Sequence, residues 1–285
     1  SEEAVGRLRE RKRRPTKPFA VMVPDVATAR ATVRVGPQDE RLLESARAPV
    51  LLAPRLPGAP VARAVAPGLG DLGVLLPTTP LHVELFRGLG VGALVMTSGN
   101  ASDEPICRTN RESLERLASL ADWFLLHDRD VVRRVDDSVA RSCAGGPFLV
   151  RRARGYVPEP LPLPCEAPEP VLALGGHLAS TVCLASGDQA FLSQHVGDLD
   201  SEPARMFLRE VAEGLEAFLQ AKAKLLASDL HPDYPSAWLA TRWAAERGGR
   251  AMGVQHHLAH AAAVLSEHGR FPGPAGTALA IALDG

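Results

Sequence analysis

Short apolar runs bounded by polar or turn-forming residues fill the first half of the chain. KPFAVMV, APVLLAP, LGVLLP, GALVMTSG and WFLLH are each too short for a helix and end at Pro, Gly or charged residues, so they predict strands. NRESLERLASLA repeats its apolar positions at helical spacing and predicts an amphipathic helix. The first half therefore reads as an α/β or α+β domain. Residues 156–171, YVPEPLPLPCEAPEPV, are the most proline-dense stretch, and proline disfavours both helix interiors and central strands. An extended linker over 159–170 is expected there, between a domain over 1–158 and another over 171–285. In the second half VLALGG, STVCLAS and QAFLSQHVG predict three strands, the first two joined at Gly175–Gly176. A long helix follows, with Ser201 as N-cap, Pro203 in its first turn, and Phe207, Val211, Leu215 and Phe218 on one face. LLASDL, PSAWLATRWAAERG, AMGVQ, HLAHAAAVLSEHG and TALAIALDG complete the order β-β-β-α-β-α-β-α-β.

A length of 285 residues with 46% hydrophobic content can bury two cores. The formal net charge of −1 supplies no global positive field, so neither nucleic acid nor an anionic membrane is an expected partner, and an anionic ligand must be held by local clusters. Cys107, Cys143, Cys165 and Cys183 are widely spaced, without a C-x-x-C pair or a secretory segment, which predicts free thiols and a cytoplasmic protein. No apolar run reaches the ~20 residues of a membrane span.

Three clusters in the first half carry candidate chemistry. In RERKRRPTKPFAVM the prolines restrict the turn and can aim Lys12, Arg14 and Lys17 at one point, for which phosphate is the natural guest. In VMTSGNASDEP, Thr97, Ser98 and Asn100 follow a strand and can donate to phosphate or ribose oxygens; an ordinary Asn-containing turn is the plainer alternative. VVRRVDDSVARS and FLVRRARGYVP place Arg133, Arg134, Arg141, Arg151, Arg152 and Arg154 on or beside strands, where alternate positions face inward. Together these predict an anion cleft. In VQHHLAHAAAVLSEH, His256 and His260 lie four apart at the head of a helix and share a face, whereas His257 is turned aside. An isolated H-x-x-x-H is more often a cap and exposed residues than a metal site. Here, however, the pair follows one strand and Asp284 ends the next, at the carboxyl ends where open α/β sheets bind ligands. Two histidines and a carboxylate suit Fe²⁺ or Zn²⁺.

KRRPTKPF, LPTTPLH, TSGNASDEPI, VRRVDDSV and RRARGYVP resemble the YrdC-like domain of the hydrogenase maturation carbamoyltransferases, the HypF family. LSQHVGDLD, SDLHPDYPS, VQHHLAHAAAV and IALDG resemble the actin/sugar-kinase-type (RNase H-like) domain that follows it in that family. The resemblance implies a truncated mixed α/β YrdC-like domain followed by the first, β-β-β-α-β-α-β, lobe of the transferase domain. It further implies carbamoyl phosphate and ATP (with Mg²⁺) as substrates. A carbamoyl-adenylate would form in the YrdC-like domain, and its carbamoyl group would pass to the C-terminal cysteine of a HypE-type partner, as precursor of a cyanide ligand. By the same resemblance Lys12, Arg14, Ser98, Asn100, Ser138 and Arg152 would hold triphosphate and carbamate, with Lys17, Thr97, Arg133, Arg134 and Arg151 beside them. His256, His260 and Asp284 would bind the metal.

Relatives of that family carry an acylphosphatase domain, zinc-finger-like motifs and a second transferase lobe that these residues do not include, so an internal fragment is expected. Ala179 also stands where relatives carry lysine. The antibiotic-type O-carbamoyltransferases pair the same modules in reverse order, and a non-catalytic nucleotide-binding or docking piece is the other alternative.

Overall fold

A left-handed residue stops the first helix and sets up the first candidate site. In the computed structural model, which describes residues 1–101, 104–271 and 276–282, helix α1 (Glu2–Lys12) is capped by the Ser1 hydroxyl, carries Glu2 and Glu3 in its first turn, and ends at Arg13 with φ 49°. The chain divides into two compact units, Ser1–Tyr156 and Val157–Gly285.

In the first unit α1 is followed by β1 (Ala20–Met22), α2 (Val26–Thr32), α3 (Pro37–Leu43), β2 (Val50–Pro54), β3 (Asp71–Leu75), α4 (Pro80–Leu89), β4 (Leu94–Met96), α5 (Asn110–Arg116), β5 (Val139–Cys143) and β6 (Gly146–Arg151). The mixed sheet runs β4-β1-β3-β2-β5-β6, and Phe19, Val21, Val23, Leu51, Leu72 and Val74 form its core with Val5 and Leu43 of the helices. Because β4 is antiparallel to β1, with Met96 opposite Ala20, the residues after β4 lie beside those before β1. Since β2 is antiparallel to β3 and parallel to β5, the segments before β5 and after β3 gather at the opposite strand ends. The register thus gives the sheet two polar ends, separated by the length of a five-residue strand, about 15 Å.

Two expectations are corrected in this unit. WFLLH forms no strand; its Trp123 is 92% exposed, so its apolar residues have no sheet face to cover. The helix of NRESLERLASLA stops at Arg116, after which turns carry the chain onward. Arg133 and Arg134 lie beside a strand rather than on one, in irregular chain before β5, because pairing with β2 begins only at Val139.

The second unit comprises β7 (Pro160–Leu174), β8 (Val182–Leu192), α6 (Glu202–Leu219), β9 (Leu225–Asp229), α7 (Pro235–Glu246), β10 (Arg250–Val254) and α8 (His256–Glu267). Its sheet order is β10-β9-β7-β8, with β7 and β8 antiparallel and β9 and β10 parallel to β7. Leu172, Leu184, Leu208, Leu226 and Trp243 fill the core. The expected proline linker is here the first part of β7. Extended backbone is what proline favours, and the pairing tolerates it because residues 160–167 pair with β8 alone, through register shifts. STVCLAS and QAFL form one strand rather than two, passing through Gly187 at φ 59°. The remainder of the third expected strand, SQHVG, keeps only a bridge between Gly197 and Ser180. At Gly175 a Cβ would lie 2.8 Å from the Thr181 carbonyl oxygen, so the tight entry to β8 needs glycine. On α6, capped by Ser201, Phe207, Val211 and Leu215 are buried as expected, but Phe218 is exposed and Leu208 takes its place in the core. Residues 276–282 form no strand, Leu279 and Ile281 being exposed there, and Asp284 lies outside the described residues.

Candidate functional site

Arg9, on α1 and outside the residues that the sequence singles out, builds the first site. Its guanidinium is buried and donates to the carbonyls of Arg14 (2.7 Å), Pro15 (3.2 Å), Lys17 (3.1 Å), Ala64 (2.6 Å) and Val65 (3.0 Å), while stacking on Phe19. Two prolines alone leave the RRPTKP turn several conformations; a charged fork bonded to three of its carbonyls leaves one. Burial pulls the Arg9 pKa down from its ordinary value. Arg14 donates to the carbonyls of Lys17 (3.3 Å) and Pro18 (2.7 Å) and also lies over the Phe19 ring, 5.0 Å from its centre.

Lys12 is 5% exposed, and its ammonium donates to Thr97 Oγ1 (3.2 Å), the Ser98 carbonyl (2.7 Å) and Asn100 Oδ1 (3.2 Å). The Ser98 hydroxyl donates to the same Asn100 oxygen at 2.7 Å. The sequence-predicted Lys12, Thr97, Ser98 and Asn100 thus meet directly, across the β1/β4 end of the sheet. Burial pushes the Lys12 ammonium down to about 8, and the like charges of Arg14 and Lys17 push it the same way. Such a lysine is poised to gain a counter-charge.

The polar loop after β4 is held from α5. Asn100 Nδ2 donates to the Glu104 carbonyl, and Cys107 N to the Gly99 carbonyl. Arg116 donates to the Glu104 carboxylate and the Pro105 carbonyl, and Arg134 to the Ile106 carbonyl at 2.6 Å. Arg134 is therefore engaged in supporting the loop; Arg133 is exposed on the segment beside it.

The remaining predicted residues gather at the other strand ends. Arg151 ends β6 opposite Val139, and Arg152 follows it. Ser138 is fully buried and its hydroxyl is engaged with backbone, donating to the Arg154 carbonyl (2.9 Å) and accepting from Ala153 N (2.8 Å), so it shapes the 152–154 turn. Arg154 grips Asp137 Oδ1 through two nitrogens. His82, from LPTTPLH, accepts or shares hydrogen bonds with Thr78; burial lowers its pKa, which Asp137 opposes. A ligand serving both ends must lie along the sheet.

In the second unit His256 and His260 meet as their spacing predicts, their Nε2 atoms 3.1 Å apart. Two imidazole nitrogens bound to one tetrahedral ion at 2.0–2.1 Å stand about 3.3 Å apart, so this pair fits a single metal. His257 turns aside to Gln255, whose side chain also caps α8. Asp229 was not foreseen as a partner. It ends β9, and its Oδ2 lies 2.5 Å from His256 Nδ1 while Oδ1 accepts from His231 N at 2.8 Å. Burial opposes ionisation of Asp229, but the His231 N–H and His256 together hold its pKa below the usual value. No group of three or more metal-ligating side chains is present among the described residues. Nearby, His177 bonds Asp200 and lies in a stack with Tyr234 and His231.

Two modules in series define the class of protein: the family model described as Telomere recombination (Sua5/YciO/YrdC) matches residues 1–153, and that described as HypF Kae1-like domain matches residues 166–267. The chain belongs to the HypF family. It is 46% identical to carbamoyltransferase HypF2 of Cupriavidus necator over 99% of its own length and 37% of the relative's, and 41% identical to carbamoyltransferase HypF of Synechocystis over 94% and 34%. It therefore spans a little over a third of these curated relatives. A crystal structure of full-length HypF in a phosphate- and nucleotide-bound form superposes with a TM-score of 0.88 at 42% identity, covering 94% of this chain and 42% of that one. HypF of T. kodakarensis gives 0.89 at 36% identity, covering 94% and 35%.

Proposed function

We propose that the chain forms part of an ATP-dependent carbamoyltransferase of hydrogenase maturation, its first unit making carbamoyl-adenylate and its second passing the carbamoyl group on. The observation that carries this reading is the buried Lys12 ammonium held among Thr97, Ser98 and Asn100, with Arg14 and Lys17 beside it. These groups hold the phosphates of ATP. As a carbamate oxygen attacks the α-phosphorus and pyrophosphate leaves, negative charge grows on the phosphates, and cations already fixed by Arg9 and the polar loop stabilise it without rearranging. Arg151 and Arg152, at the far strand ends, face the other part of the same extended ligand.

In the second reaction the thiolate of a C-terminal cysteine, on a HypE-type partner, attacks the carbamoyl carbon, and AMP departs. His256 and His260 would hold the Fe²⁺ or Zn²⁺, and when bound the ion supplies Lewis-acid orientation of the phosphate–carbamoyl group. The adenylate reading is supported by the phosphate- and nucleotide-bound relative. Its test is ATP–pyrophosphate exchange by this chain with ammonium bicarbonate as the source of carbamate. Exchange that requires bicarbonate and is lost in Arg14→Ala is expected. Release of ADP instead of AMP refutes adenylation.

A further inference from the structure

We propose that Asp229 is the positioning residue of the histidine pair: it holds the proton of His256 on Nδ1 and so aims the Nε2 lone pair at the point shared with His260. This rests on the reading of His256 and His260 as metal ligands. Sheet register brings the groups together, since Asp229 pairs with Val254 across β9 and β10, two residues before His256 begins α8. Neither carboxylate oxygen is idle. Oδ1 accepts the His231 backbone N–H at 2.8 Å, which fixes the side-chain torsion, and Oδ2 is thereby presented to His256 Nδ1 at 2.5 Å. The Asp229 side chain is only 9% exposed, so water does not compete effectively for that bond.

The chemistry follows from the inventory of imidazole. A neutral ring carries one proton, and an ionised carboxylate accepts but does not donate. Asp229 therefore selects the Nδ1–H form of His256, leaving Nε2 as the acceptor atom, and Nε2 faces His260 at 3.1 Å. Without the carboxylate the ring divides between two tautomers and is free to rotate. Carboxylate-backed histidines are more basic ligands, and loss of such a partner weakens metal affinity about 10–100-fold. His260 has its Nε2 turned to the same point from one turn further along α8, at a ring-centre distance of 4.7 Å from His256.

The experiment uses the whole chain and Co²⁺, followed by its ligand-field absorption, in wild type, Asp229→Asn, Asp229→Ala, His256→Ala and His257→Ala. Loss of roughly 10–100-fold in Co²⁺ affinity is expected for both Asp229 variants, a larger loss for His256→Ala, and little for His257→Ala. Metal-free wild type labelled with ¹⁵N-histidine supplies the second readout: His256 should show a protonated Nδ1 and an unprotonated Nε2, and Asp229→Ala should mix the two forms. Unchanged Co²⁺ affinity in Asp229→Asn alongside a loss in His256→Ala overturns the role of Asp229 and leaves the metal reading standing. Unchanged affinity in His256→Ala defeats the metal reading itself, while the nitrogen shifts of the metal-free chain still decide the tautomer. An unprotonated Nδ1 in wild type overturns the proposal even where an Asp229 variant fails to fold.

Discussion

Lys12 shows what one buried charge does to a site. With its pKa brought down to about 8, it is protonated at pH 7 and loses its charge as pH rises through about 8. ATP affinity measured by calorimetry should therefore fall between pH 7 and 9, and Lys12→Met should bind weakly with that slope absent. An affinity that rises over the range, or an equal slope in the variant, contradicts the assignment. The sign for folding is opposite. The unfolded chain holds this proton up to its ordinary 10.5, so Lys12 works against stability below about pH 8, and that penalty diminishes as pH rises from about 8 to 10.5. Residue identities at this end were legible because KRRPTKP and TSGN each keep their polar groups within a short turn. Arg9 was not, since nothing in RERKRR distinguishes the one arginine whose side chain turns inward to the turn's carbonyls. Asp229 was hidden for a related reason: 27 positions separate it from His256, and only the pairing of β9 with β10 closes that gap.

At the scale of elements, patterning identified most strands and helices but misplaced their ends. VLALGG and AMGVQ announce themselves by unbroken apolar character, although AMGVQ forms the exposed edge strand β10. WFLLH has the same character without a sheet to receive it, and composition cannot tell the two apart. The join of STVCLAS to QAFL escaped notice because glycine usually ends strands; here Gly187 passes through the left-handed region while pairing continues. Glycine at 249 plays a different part between α7 and β10. A Cβ there would lie 1.9 Å from the Lys224 carbonyl oxygen, the acceptor of the Arg250 N–H that opens the β9–β10 pairing. Gly249→Ala should destabilise the second unit by about 1–3 kcal/mol, or more if the backbone cannot shift, as read from urea denaturation. A midpoint equal to wild type would show that the turn relaxes freely.

Over the whole molecule, the hydrophobic core of the second unit shares no residue with the two core clusters of the first. Trp243 is 2% exposed and packs in the core of the second unit, so Trp243→Ala should remove about 3–5 kcal/mol from that unit. ATP affinity of the first unit, at a temperature where the variant remains folded, should be unchanged; a parallel loss would mean the two cores are energetically one. The proline-rich half of β7 has a consequence of a different kind. A strand paired on one side only is an open template for another chain, and long exposed edges of this sort seed fibrous association. Pro160, Pro162, Pro164, Pro168 and Pro170 leave that stretch of strand poor in amide donors, so an incoming strand finds few hydrogens to zip against.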